Sequence, residues 1–464
     1  MTKKIVFISV AIQFARYQYA IGKKLEEKGV KVSYVTYSKE AEIFLKSKKA
    51  EVSYIPDEIK AYKLKKPLNL YLQDIEEKYK TNTELVLFED YDHSQINRNE
   101  AFKSMIKNFF FWEDCIKKYK VDMVVGGIER FVGTIPNIIC KKNKIRYYFW
   151  TRATIENNFI LSQCIKEGHW SILNDYWRKN ENRKLSLKEK KEAQKCIDTI
   201  TAKKKNVYLV VGTPKVTFSQ VLFFFKRFYL NIFVEKFRNP YARLTGIAWD
   251  KTKKAIRKYF LKSLYSKPNP AEKYFFYPLH LEEDAQIIVR APQYADQVSL
   301  ITYLAKCLPK GYKLYVKEHP NNIGGMLIKK LKAIKNINNV NLLSPYESSH
   351  DLIKKSKGII TINSNVGWEA LLYKKPVITL GNCFYDISGL VWKARDLYRI
   401  PDLIKDSLNK PLINKEKQFR FVNAVLKSIY PGNLNFYYQY AKKAMVDENI
   451  SLIADGVYRE LNKN

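Results

Sequence analysis

The feature that most constrains this chain is a recurring alternation of short β-rich runs with segments of helical spacing. Ile5 to Val10 is a continuous β-rich run, a helical pattern follows through Leu25, Gly29 stops it, and a second run fills Val30 to Tyr37. Such a βαβ opening calls for a parallel sheet covered by helices on both faces. The alternation recurs at Val121 to Val125, Thr134 to Lys142 and Ile145 to Trp150, and again at Tyr274 to Pro278, Tyr312 to Val316, Gly358 to Ile362 and Pro376 to Leu380. At 464 residues the chain is long enough for two such lobes, each with its own core.

The expected division is an N-terminal Rossmann-like lobe over 1–170, a helical, basic and aromatic insert over 171–268, a second Rossmann-like lobe over 269–414, and C-terminal helices over 415–464 that return to the first lobe. The N-terminal run leads straight into an amphipathic helix without a small-residue cleavage site, so it reads as a strand and not as a signal peptide. The most apolar stretch, VLFFFKRFYLNIFVEKF from Val221, is broken by charges, and no membrane span is expected. Six dispersed cysteines without a CxxC pair suggest neither disulfides nor zinc, which fits a reducing cytoplasm.

Charge bears on partners. Lys and Arg number 82 against 46 Asp and Glu, a formal +36, which suits an anionic substrate, an acidic membrane leaflet or nucleic acid, or marks only solvated faces. The aromatics sit in apolar runs and are not interleaved with the basic residues, which argues against nucleic acid. The basic, aromatic stretch from Phe218 to Lys262 is a candidate for attachment to an anionic inner leaflet.

Three passages can carry chemistry. In LYVKEHPNN a strand ends in Lys317, Glu318 and His319 before Pro320, and ligands bind at the carboxyl ends of strands in open parallel sheets. In IITINSNVGWEALLYKKPVITLG, Asn363, Ser364, Asn365 and Gly367 open a helix whose free N–H groups suit a phosphate, and Glu369 one turn on suits ribose hydroxyls. In FFYPLHLEEDAQIIV, Glu282, Glu283 and Asp284 follow a strand end and offer a nucleophile or general base, with mutual repulsion able to raise a pKa. Each also has an ordinary structural reading, as loop cap, N-cap or acidic turn. Two other patterns carry less. Asp90-Tyr91-Asp92 has metal-binding Asp-x-Asp spacing but reads as a solvated loop, and VVGTPK lacks the end of a P-loop.

VKEHPNN followed by TINSNVGWEALLYKKPVITLGNCFYDISG resembles the capsule polysaccharide biosynthesis family, with its Lys-Glu-His-Pro, Ser-x-x-Gly-x-Glu-Ala and Gly-x-x-Phe-Tyr signatures, and PLHLEEDAQI is similar to the stretch that precedes them in β-Kdo transferases. The motifs span about residues 274 to 390. The resemblance implies a GT-B architecture, two Rossmann-like lobes facing a cleft. It implies a glycosyltransferase with a CMP-activated ulosonic acid donor such as CMP-Kdo, a glycan or glycolipid acceptor, and neither metal nor cofactor. It implies retention through Asp284, with Glu283 as competitor, and puts His319 at the phosphate or leaving group. Lys317, Glu318, Pro320, Asn363, Ser364, Asn365 and Gly367 would line the nucleotide-sugar site, and Glu369 would hold ribose. Glu129, Arg130 and Arg152 are expected at the acceptor, although the family's Glu-Arg-Gly is replaced by Trp150-Thr151-Arg152 here. A UDP-sugar or CDP-glycerol transferase and a sugar-nucleotide epimerase are alternatives, and a non-enzymatic membrane or nucleic-acid binder is a more remote one.

Overall fold

The computed structural model describes residues 2–127, 130–164, 166–202, 222, 225–226, 228–234, 254, 257–259, 261–410, 412–434 and 444–463. The chain forms two compact units, and both are discontinuous in sequence: 1–165, 221–244 and 429–464 make the first, and 166–220 with 245–428 the second. This division departs from four consecutive segments. The helices Ser171–Asn180 and Leu187–Thr201 join the second unit because they pack on Lys415–Lys427 there, with Trp177 edge-on to Phe421 at 5.1 Å. Asp447–Leu461 packs on Ile12–Glu26 of the first unit, where buried Glu460 accepts from Tyr148 Oη at 2.8 Å.

The first unit holds a sheet of β1 (Lys4–Ser9), β2 (Lys31–Thr36), β3 (Glu51–Tyr54), β4 (Met123–Gly126), β5 (Arg146–Arg152) and β6 (Asn158–Ser162), with the short β13 (Tyr430–Pro431) at one edge. The order is β13-β6-β5-β4-β1-β2-β3, parallel from β5 through β3 and antiparallel at β6 and β13.

The second unit holds β7 (Lys273–Pro278), β8 (Tyr312–Lys317), β9 (Val340–Leu343), β10 (Gly358–Thr361), β11 (Val377–Thr379) and β12 (Trp392–Lys393), in the order β12-β11-β10-β7-β8-β9 and parallel throughout. The central strands are apolar on both faces: Phe275, Phe276, Tyr277, Leu314, Val316, Ile359 and Ile360 are all fully buried, as helices on both sides of a parallel sheet require. Each such side chain contributes about 1.5–3 kcal/mol relative to an exposed one.

This is the doubly wound arrangement, in which the chain winds one way from the first strand, then crosses to its other side. In the second unit the direction switches between β7 and β10, and in sheets of this kind ligands bind outside the carboxyl ends of the strands at such a point. The same switch in the first unit lies between β1 and β4. The α/β class with two Rossmann-like units is therefore what the structure has.

Candidate functional site

The switch point of the second unit collects most of the residues singled out in the sequence. β7 and β8 run in register, Pro278 beside Lys317, and Leu279 N donates to Lys317 O at 2.9 Å, so the two strands end together. Pro320 has no N–H to extend β8, and a short 3₁₀ turn, Pro320–Asn322, takes over.

Lys317 is 3% exposed, and its Nζ donates to Ser349 Oγ at 2.8 Å. Burial pushes its pKa down to about 8 despite the nearby charges of Glu369 and Glu347. A buried ammonium with carboxylates for company gains from an additional anion. Glu318 is 1% exposed and accepts a hydrogen bond from Tyr265 Oη; burial raises its pKa to about 7, against the pull of that bond. Its Oε1 is buried without a hydrogen-bond partner.

His319 is half-buried. Its pKa is lowered by burial and then by Lys317, while the charge of Asp284 pulls the other way. Asp284 thus lies within electrostatic reach of the imidazole. The three adjacent acids are separated by their surroundings: Glu282 pairs with Lys330, Glu283 is exposed, and Asp284 is half-buried and caps the short helix Ala285–Ile288, its Oδ1 accepting from Gln286 N at 3.1 Å.

Across the switch point, Asn363 follows β10. Its Nδ2 donates to Gln286 O at 2.7 Å, and its Oδ1 is buried without a partner. Ser364 caps the helix Asn365–Leu372, with Oγ accepting from Val366 N at 3.2 Å, and Ser364 N donates to Thr361 Oγ1 at 3.1 Å. Asn365 is exposed and Glu369 half-buried. Gly367 is buried, and a Cβ there would stand 2.2 Å from Tyr385 Oη, so packing of the helix on Tyr385 requires the glycine.

Two residues of this site went unremarked as site residues in the sequence. His280, two residues beyond the end of β7, is 8% exposed, and its backbone is clamped by Gln297, which accepts from His280 N at 2.9 Å and donates to His280 O at 3.0 Å. Burial, then His319, pushes its pKa down to about 3, and its Nε2 is buried without a partner. Arg290 donates to Gln286 Oε1 at 2.9 Å and adds a cation to the same loop. A strand-end histidine was the available signal for the first; nothing local marked the second.

The acceptor candidates belong to the first unit. Glu129 lies outside the described residues. Arg130 opens the helix Arg130–Lys142 at φ 65°, a left-handed conformation costly for arginine, and its Nε pairs with Asp92 Oδ2 at 3.1 Å. Arg152 ends β5 with its side chain exposed.

The Asp90-Tyr91-Asp92 segment is not the solvated loop expected. Asp90 is fully buried, because its two oxygens accept from His93 N at 2.9 Å and Phe131 N at 2.8 Å, which repays its desolvation.

Residues 228–400, which contain β7 to β12, match the family model described as capsule polysaccharide biosynthesis protein. The family read from the motifs is therefore the one this stretch carries. The chain is 28% identical over 163 residues to the capsule polysaccharide export protein KpsS of Escherichia coli, covering 32% of this chain and 42% of that protein. It is also 28% identical over 130 residues to protein FixF of Sinorhizobium fredii, covering 27% and 31%. The chain thus matches less than half the length of these curated relatives. Among solved structures, the KpsC β-Kdo 2,7 transferase of Thermosulfurimonas dismutans is similar with a TM-score of 0.40 and 13% identity, over 77% of this chain and 97% of that one.

Proposed function

We propose that this chain is a glycosyltransferase of surface polysaccharide assembly that draws a CMP-activated ulosonic acid, such as CMP-Kdo, into the switch-point crevice of the second unit and passes it to a glycan or glycolipid. The observation that carries this reading is the convergence of Lys317, His319 and Asp284 at the carboxyl ends of β7 and β8, beside the helix that opens at Asn365.

A CMP-ulosonic acid brings a phosphate and a carboxylate. The helix N-terminus at Asn365, the Ser364 hydroxyl, the Lys317 ammonium and Arg290 are complementary to that charge, with no metal required in the reading. Glu369 is then suited to the ribose hydroxyls and Asn363 to a polar group of donor or base. Asp284 is the preferred nucleophile over Glu283 because it is held by its cap and sits near His319.

In this mechanism a carboxylate oxygen of Asp284 bonds to the anomeric carbon while the bond to the phosphate oxygen breaks and CMP departs with the electron pair. The acceptor hydroxyl oxygen then bonds to the anomeric carbon as Asp284 leaves as a carboxylate with the electron pair, the hydroxyl proton passes to solvent, and the configuration is retained. His319 stands where it can bear positive charge against the departing phosphate, which would offset the lowering of its pKa by burial and by Lys317.

Leu222, Phe225, Phe228, Tyr229 and Phe233 are exposed apolar residues within the basic stretch, and they support peripheral attachment to an anionic inner leaflet. Cosedimentation with vesicles that is indifferent to anionic lipid counts against that attachment.

Calorimetry with CMP, UDP, CDP and GDP tests the donor, on the wild type and on His319→Ala. CMP preference that is lost in the variant supports the reading. Preference for UDP or CDP keeps a transferase and replaces the donor, and the absence of binding to all four removes the site.

A further inference from the structure

The first unit contains a second organised cluster, and the sugar-transfer reading does not use it. It lies beside the helix Arg130–Lys142, which starts at the carboxyl end of β4, one of the two strands that flank this unit's own switch point. The segment 89–93 is fastened under that helix: Phe131 N donates to Asp90 Oδ2 at 2.8 Å, and Thr134 Oγ1 donates to Glu89 Oε2 at 2.7 Å.

Asp90 and His93 are buried, at 0% and 2% exposure, and the His93 ring packs on Phe131 with centroids 4.1 Å apart. Asp90 Oδ2 is 3.0 Å from His93 Nδ1, and His93 Nε2 is 3.0 Å from Ser104 Oγ. Ser104 lies in the second turn of the helix Arg98–Tyr119 and is partly open to solvent. Its place on the helix is steadied by Asn108, whose Nδ2 donates to Ser104 O at 2.8 Å.

The chemistry of the three groups has a direction. Burial would raise the Asp90 carboxyl, but the charge and hydrogen bond of His93 and the N–H donors of Phe131 and His93 outweigh it and keep the group below its ordinary value. A carboxylate only accepts, so the proton of a neutral imidazole belongs on Nδ1. That leaves the Nε2 lone pair facing the Ser104 hydroxyl, the arrangement in which a serine is activated by a base that a carboxylate orients.

We propose that Asp90, His93 and Ser104 form a charge relay that makes Ser104 a nucleophile toward neutral carboxylic esters, an activity separate from sugar transfer. Ser104 Oγ bonds to the ester carbonyl carbon as its proton passes to His93 Nε2. The carbon–alkoxy bond then breaks, and the departing oxygen takes that proton to leave as an alcohol. Water adds to the acyl-serine by the same route, releasing the carboxylic acid and restoring Ser104. Phosphate esters are disfavoured because Glu89 and Asp90 are buried at the relay and Asp92 already occupies the nearby Arg130.

Incubation of the full chain with a fluorophosphonate probe, followed by intact-mass and peptide-mapping mass spectrometry, tests this, with hydrolysis of p-nitrophenyl acetate as a second readout. A single adduct on Ser104 is expected, absent in Ser104→Ala and slowed about 100-fold or more in His93→Gln. No adduct, an adduct at another residue, or ester hydrolysis undiminished in Ser104→Ala overturns the proposal. Ser104→Ala is partly exposed and decides the matter even where a His93 variant does not fold.

Discussion

The side-chain amide of Asn363 donates to the main-chain carbonyl of Gln286 at 2.7 Å, and that bond ties the loop leaving β7 to the loop leaving β10 across the switch point. Asp284 is two residues from the tethered carbonyl, and its own Oδ1 accepts from Gln286 N. The position of the proposed nucleophile therefore depends on a residue from a different βα unit. Asn363→Ala is expected to lower kcat/KM for sugar transfer roughly 10-fold, on the order of the 1–3 kcal/mol that an orphaned buried carbonyl costs. Steady-state kinetics checks it, and CMP affinity is expected to fall less than kcat.

Asp284→Asn is expected to reduce transfer by about 10³-fold or more while CMP binding persists, since the amide keeps the shape but not the nucleophile. Glu283→Gln, altering an exposed side chain, is expected to stay within a few fold. Initial rates of donor consumption distinguish the two, and the reverse ranking would transfer the role to Glu283.

Nucleotide affinity is expected to depend on Lys317. Its pKa of about 8, set by burial, lies below the ordinary lysine value, so the ammonium is progressively lost as pH rises through 8. CMP affinity should weaken between about pH 7 and pH 9, and calorimetry across that range should show proton uptake on binding at the upper end. Lys317→Met is expected to flatten the dependence. Stability of the ligand-free chain moves the other way: between about 8 and 10.5 the unfolded chain holds more protons at this group, so its contribution to stability rises with pH.

Glu318 has the opposite linkage. Its folded pKa of about 7 is above the model-peptide value near 4.5, so the folded state holds the extra proton and the group's contribution to stability falls as pH rises from about 4.5 to 7. Glu318→Gln keeps an acceptor for Tyr265 without a charge to bury. It is expected to be more stable than the wild type at pH 8 by about 1–3 kcal/mol, and little different at pH 4. Denaturant titrations at the two pH values measure this.

Gly367→Ala is expected to destabilise the second unit by about 1–3 kcal/mol, the range for overpacking, because the added methyl would meet Tyr385 Oη at 2.2 Å. A lowered thermal midpoint checks it. Pairing it with Tyr385→Ala, which vacates the space, should recover part of the loss relative to Tyr385→Ala alone.

Much of the second unit was readable along the chain because its signals are local. Strand, polar turn and helix follow one another within about ten residues at Ile359 to Glu369, a strand gives way to a polar turn at Lys317 to Pro320, and alternation of that kind calls for a parallel sheet. Apolar runs in β7, β8 and β10 announce strands buried on both faces, and Ser364 announces a helix start.

What the linear pattern left open depends on partners distant in sequence. Asp90 looks like a solvated acid in FEDYDHSQINRNE, yet it is fully buried, because a donor that accounts for its burial, Phe131 N, lies 41 positions away. Glu89 meets Thr134 across 45 positions and Asn363 meets Gln286 across 77. The assignment of Ser171–Asn180 to the second unit likewise waits on Lys415–Lys427. Local propensity and periodicity specify what a segment becomes. The cost of burying a charge or an amide is set by which groups the packed chain brings to it, and those contacts exist only once the sheets have formed.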